Sequence, residues 1–115
     1  MNAIEFSESI EMLRSRDPMV YEDGFHWLIG HCDAYIDELI ELMVAEAKPS
    51  IRGKFVEVIG HSRNEKVIPF LEEELKHENS EVRSWAYSAL CYFENITAEK
   101  IALEFKKNNP NEEFL

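Results

Sequence analysis

The chain has 115 residues with a hydrophobic share of 45%, which suits one domain with a modest core and excludes a disordered tail. Its 23 acidic residues outnumber 12 basic ones, for a net charge of -11. Such a surface argues against nucleic-acid binding, because a phosphate backbone wants a basic face, and it steers basic partners instead. No apolar run reaches membrane-spanning length, and Met1-Asn2-Ala3-Ile4-Glu5 has no leader-like basic and apolar pattern, so a cytoplasmic protein without membrane contact is expected.

Asn2, with Glu5 three residues on, opens a first predicted helix over 3–15 that buries Ile4, Phe6, Ile10 and Leu13. Asp17-Pro18 is a cap followed by proline at the first helical position, opening a second helix over 18–30. Asp33 is placed as the cap of a third, over 34–47, whose apolar face is Ile36, Leu39, Ile40, Met43 and Val44. Pro49 opens a fourth over 49–61. Asn64 opens a fifth over 65–77, where Pro69 is tolerable in the first turn. The sixth, over 80–93, carries Val82, Ala86, Ala89, Leu90 and Phe93 on one narrow stripe. Asn79 or Ser80 is its cap. Thr97 is expected to cap a seventh over 98–107, with Ile101, Ala102 and Phe105 inward. The polar tail from residue 108 should fray.

The helices repeat. Residues 34–64 shifted forward by 31 fall on 65–95 without a gap. Ile36 then meets Val67, Ile51-Arg52 meets Val82-Arg83, and Phe55, Val58 and Ile59 meet Ala86, Ala89 and Leu90. A more degenerate copy lies upstream. Pro18-Met19-Val20 resembles Pro49-Ser50-Ile51, and Ile29-Gly30-His31 recurs as Ile59-Gly60-His61, with a single insertion between the two matches. One hairpin cannot bury its apolar stripe, but a stack of them can. The fold expected is therefore all-α: a short right-handed α-solenoid of three αα-hairpins (2–32, 33–63 and 64–95), a capping helix over 97–107 and a polar tail over 108–115.

The residues Ile68-Pro69-Phe70-Leu71 and Glu81-Val82-Arg83, followed by Ala86 and Ala89-Leu90, resemble HEAT-like repeats of the short variety found in phycobilisome lyases. Residues 34–64 keep Ile51-Arg52 and Val58-Ile59, whereas the first copy has Tyr21 where arginine would stand. The family often places an aspartate in the turn to pair with those arginines. Asp17, Lys48 and Asn79 stand near that point here, so no regular Asp–Arg ladder is expected. The resemblance implies a packing scheme and leaves the function open.

Catalytic chemistry finds little support. The acidic clusters Asp37-Glu38, Glu72-Glu73-Glu74 and Glu112-Glu113 read as solvated faces, none buried enough for acid–base work. His31 and His61 fall at equivalent points one repeat apart, with Cys32 beside the first, but no third ligand accompanies them. No metal, no cofactor and no catalytic residue are therefore expected. Cys32 and Cys91 read as reduced, buried thiols.

The second helix of each hairpin carries the stronger signal. With its core stripe assigned, the opposite positions are Asp23, Trp27 and His31 in the first copy, Lys54, Glu57 and His61 in the second, and Trp85, Ser88 and Tyr92 in the third. Tryptophan and tyrosine off a core stripe are the side chains that anchor interfaces. These nine residues are the expected partner-binding face, on the concave side of the stack. A small acidic protein of this architecture resembles bacterial immunity proteins, some of them HEAT-like, which cap basic toxins, often nucleases. That resemblance implies a protein partner, probed by the concave face. The alternatives are a HEAT-like adaptor or assembly factor binding a peptide or small molecule, favoured by a deep cleft lined by His31, His61 and Trp85, and a metal-dependent enzyme, which needs a third ligand.

Overall fold

The computed structural model describes residues 3–114, with side chains from residue 5 onward. The described residues form seven α-helices and no strand: α1 (Ala3–Leu13), α2 (Pro18–His31), α3 (Ile36–Ala45), α4 (Pro49–Gly60), α5 (Ile68–Glu74), α6 (Ser80–Tyr92) and α7 (Ile96–Asn108). Two 3₁₀ turns, Cys32–Tyr35 and Glu65–Val67, lead into α3 and α5. The cap expected at Asn2 and the burial expected of Ile4 lie outside the described side chains.

The hairpins α1–α2, α3–α4 and α5–α6 stack along an axis 44 Å long, with 26 and 22 Å across it. That shape is a short α-solenoid. One core runs the length of the stack, from Ile10 and Leu13 through Leu28, Leu39, Met43, Phe55 and Ile59 to Leu71, Leu90 and Ala102. Full burial of each large aliphatic or aromatic side chain contributes about 1.5–3 kcal/mol.

Local capping chemistry sets most helix starts. Asp17 accepts from the Met19 amide at 3.0 Å, and Pro18 follows at N1. Asn64 accepts from the Lys66 amide, and Asn79 from those of Glu81 and Val82. Two expected caps are corrected. Asp33 caps no helix, because the chain there makes a 3₁₀ turn; its Oδ1 accepts instead from Asn64 Nδ2 at 3.4 Å. Asn95, not Thr97, caps the last helix, accepting from the Thr97 and Ala98 amides at 2.8 and 3.1 Å. Asparagine is at least as good a cap as threonine, and it restores the 31-residue spacing from Asn64.

The backbone keeps the same period. Arg63 and Glu94 both adopt left-handed φ, of 54° and 56°, where α4 and α6 end. They sit one rung apart and pair at 3.0 Å.

An arginine–glutamate ladder replaces the aspartate version. Arg52 Nε and Nη2 grip Glu74 at 2.6 and 2.7 Å, and its Nη1 donates to the carbonyls of Val44 and Glu46. Arg83 repeats the arrangement, donating to the carbonyls of His77 and Glu78 and gripping Glu112 at 2.7 and 3.1 Å. Each guanidinium thus satisfies the carbonyls ending one helix while holding a carboxylate from beyond it. Glu74 is 4% exposed, so it is no solvated acidic residue. The described part of the tail packs back on the last hairpin. Beyond Glu112, Phe114 stacks on Phe105 at 6.2 Å and lies 6.0 Å from Tyr87. A polar composition conceals those two anchors.

Candidate functional site

Helices α4 and α6 come close because their facing side chains are minimal. A Cβ built at Gly60 would lie 2.8 Å from the Ala89 Cβ, and one at Gly53 would lie 2.7 Å from Trp85 Cδ1. The Trp85 ring is thus half-buried, with its Cδ1–Nε1 edge against the bare backbone of α4 at Gly53. Just along this seam is a groove of about 300 Å³. Glu57, Gly60, His61 and Arg63 form one wall. Trp85, Ser88, Ala89 and Tyr92 form the other.

Five of the nine expected residues thus meet: Glu57, His61, Trp85, Ser88 and Tyr92. Tyr92 is 77% exposed, which is unusual for so large a ring. His61 also makes a T-shaped contact with Phe25 of α2, ring centroids 5.8 Å apart. Glu57 is half-buried, and no ion pair or hydrogen bond within the described residues compensates its carboxylate. Burial alone pushes its carboxyl above the usual range. Helical phase placed Glu57 on the expected face; that its carboxylate would lie half-buried without a partner is not encoded in phase and follows from the close approach of α4 and α6.

The other four expected residues do not join them. Trp27 stacks on His31 at 3.9 Å, the His31 Nδ1 lies 2.7 Å from the Trp27 carbonyl, and Tyr35 flanks the pair at 6.0 Å. This self-contained stack is separate from the groove, and Asp23 is exposed away from it. Lys54 turns toward the N-terminal hairpin. Its Nζ lies 4.1 Å above the Tyr21 ring and donates to the Leu13 carbonyl at 3.3 Å. Burial there pulls its ammonium below the usual range, against the opposing pull of Glu81. The phase argument placed these residues on a common face; helix spacing then divided that face.

The groove that joins His61 and Trp85 is not lined by His31. Among the described residues, no three of His, Cys, Asp or Glu converge as a metal site would require. Cys32 is buried, but Cys91 is exposed, because it lies on the side of α6 turned from the core. A larger depression of about 840 Å³ lies between α5 and α7, walled by residues of both signs including Glu72, Lys76, Lys100 and Glu104.

Residues 36–104, more than half of the chain, match the family of HEAT repeats. The chain belongs to that family. The HEAT match starts at the first residue of α3 and ends within α7, so it spans the two copies in regular register. HEAT repeats are protein-interaction modules built by stacking. No curated protein and no solved structure matches the chain. Among the described residues, no helix is long and apolar enough to cross a membrane.

Proposed function

We propose that this HEAT-repeat protein is a non-catalytic binding module that holds a basic protein in the α4–α6 groove. The most concrete form of that role is an immunity-type inhibitor that caps a basic toxin. One observation carries the reading: an exposed Tyr92 and a Trp85 set against Gly53 share a groove with an uncompensated Glu57. Aromatic rings supply contact area at little entropic cost, and the carboxylate favours a cationic partner. The net charge of -11 adds long-range attraction that raises the association rate and weakens with salt. Of the expected face, Glu57, His61, Trp85, Ser88 and Tyr92 are retained as contact residues; Asp23, Trp27, His31 and Lys54 are assigned no contact in this site.

The test is affinity capture from the native host, followed by binding measurements with the purified partner. The expected result is one stoichiometric basic protein, whose affinity falls at least tenfold with Tyr92→Ala and whose association slows with added salt. Tyr92 is exposed, so its removal leaves folding intact. A partner that is acidic, or one held equally well by Tyr92→Ala, contradicts the proposal.

A further inference from the structure

We infer that the α4–α6 groove is a subsite for a single arginine side chain, with Glu57 on one wall as its counter-ion and the aromatic rings of Trp85 and Tyr92 on the facing wall as its apolar contacts. This inference rests on the groove being the partner site, and it names the chemistry the site selects.

The argument begins with an imbalance. A carboxylate half removed from water loses hydration and normally recovers it from a lysine, an arginine or an amide. The chain does this elsewhere: Glu74 has Arg52, Glu112 has Arg83, and Glu46 has Arg14. Glu57 has none of these. Arg63 lines the same groove, but it is committed to Glu94 at 3.0 Å on the open rim. Lys54, one turn before Glu57, is committed to Tyr21 and the Leu13 carbonyl. The cation lining the groove and the one a turn earlier on α4 are thus engaged elsewhere, which leaves the Glu57 carboxylate for a cation from outside.

The walls decide which cation. An ammonium is compact and strongly hydrated, and gains most from several acceptors around it. A guanidinium is planar, weakly hydrated, stacks on aromatic faces and binds a carboxylate through two parallel bonds. The groove offers one carboxylate, the Ser88 hydroxyl and two aromatic rings, with the indole edge held against Gly53. A volume of about 300 Å³ holds one long side chain and no folded element. The seam also explains the geometry: a side chain at Gly53 or Gly60 would displace Trp85 or part the helices, and the aromatic wall would be lost.

The probes are blocked arginine, blocked lysine and blocked citrulline, titrated against the whole chain and followed by the Trp85 indole resonance. That resonance is assigned with Trp85→Phe. Citrulline keeps the shape of arginine and lacks its charge. The expected result is a saturable shift with arginine, at least threefold weaker binding of lysine and at least tenfold weaker binding of citrulline. Glu57→Gln, nearly isosteric, should reduce arginine to the citrulline level. The Glu57 carboxyl should also titrate lower when arginine is bound, a change that a merely structural role would not give. Equal binding of arginine and citrulline, equal binding of lysine, or arginine binding unchanged by Glu57→Gln overturns the inference. If that happens while the basic partner is still lost with Tyr92→Ala, the groove remains the partner site and only the arginine subsite falls. Partner binding indifferent to Tyr92→Ala removes both.

Discussion

Gly30 and Gly60 occupy equivalent places in successive copies, yet their surroundings differ. A Cβ at Gly60 would lie 2.8 Å from Ala89, whereas one at Gly30 meets nothing within 4 Å. The residue facing Gly60 is alanine; its counterpart one copy earlier is Val58. The α4–α6 junction is therefore closed by two minimal residues, whereas Gly30 faces open space and takes no part in a comparable approach. The second difference is ionic. Arg52 and Arg83 each bind two helix-end carbonyls and a glutamate, whereas Tyr21, in their place, receives the ammonium of Lys54 from the next helix. One junction is in register and ready to hold a precise groove. On the other side, Lys54 reaches back to Tyr21 and the Leu13 carbonyl, and Trp27 and His31 stack on each other within α2.

The ladder is where this contrast is most easily broken. Glu74 and Arg52 have side-chain exposures of 5% and 16%. Glu74→Ala leaves the guanidinium buried without its carboxylate and should cost about 3–5 kcal/mol. Urea unfolding measures it, and Glu74→Gln should recover part of the loss. A cost below that of the Arg83–Glu112 pair would refute the ladder as the support of the regular half.

The small-residue seam comes next. Gly60→Ala should destabilise by about 2 kcal/mol through overpacking. Ala89→Gly in the same chain should restore most of it, as a double-mutant cycle between touching residues requires. Independent, additive effects would show that α4 and α6 do not meet at this point.

Arg83→Ala should cost about 1 kcal/mol, because this pair is more exposed than the first. It should also raise hydrogen exchange over 109–114, since Glu112 is the hold that brings Phe114 onto Phe105 and Tyr87. Gly30→Ala is the complement of Gly60→Ala. It adds a methyl group to open space inside α2 and should stabilise by about 0.5–1 kcal/mol. Opposite signs at equivalent glycines would express the difference between the junctions in one pair of melting curves.

The smallest expected effect is on pH dependence. Burial raises the Glu57 carboxyl, so the folded group holds its proton to higher pH than the unfolded chain does. By linkage, its contribution to stability is present below the ordinary carboxylate value and is lost as pH rises through the raised value. A bound cation favours the ionised form, so binding should release a proton and strengthen as pH rises through that range. The other groups near Glu57 are His61 and Lys54 on its own helix, Tyr21 on α2 and the Arg63–Glu94 pair at the rim. Glu57→Gln should flatten the profile.

Much of this was legible in the chain. The 31-residue period, the hairpins and the core stripe Ile51, Phe55, Val58 and Ile59 all follow from apolar spacing. Pro18, Pro49 and Asn79 mark their helix starts because caps act within a few residues. What spacing does not encode is how far apart two helices lie. That distance separates Trp85, in the groove, from Trp27, which has the same phase and stacks on His31 instead. Long-range ion pairs were equally hidden, so Glu74 and Glu112 read as solvent-facing acids, and Glu57, placed on the right face by its phase, carried no sign in the sequence that it would lack a partner.

Trp85 and Trp27 give the most direct test. The affinity of the purified basic partner should be measured by calorimetry for Trp85→Ala and Trp27→Ala, each checked for unchanged helicity. The groove predicts that Trp85→Ala loses binding by at least a hundredfold while Trp27→Ala stays within threefold of the parent. Loss with Trp27→Ala and retention with Trp85→Ala would place the partner on the N-terminal hairpin and contradict the account.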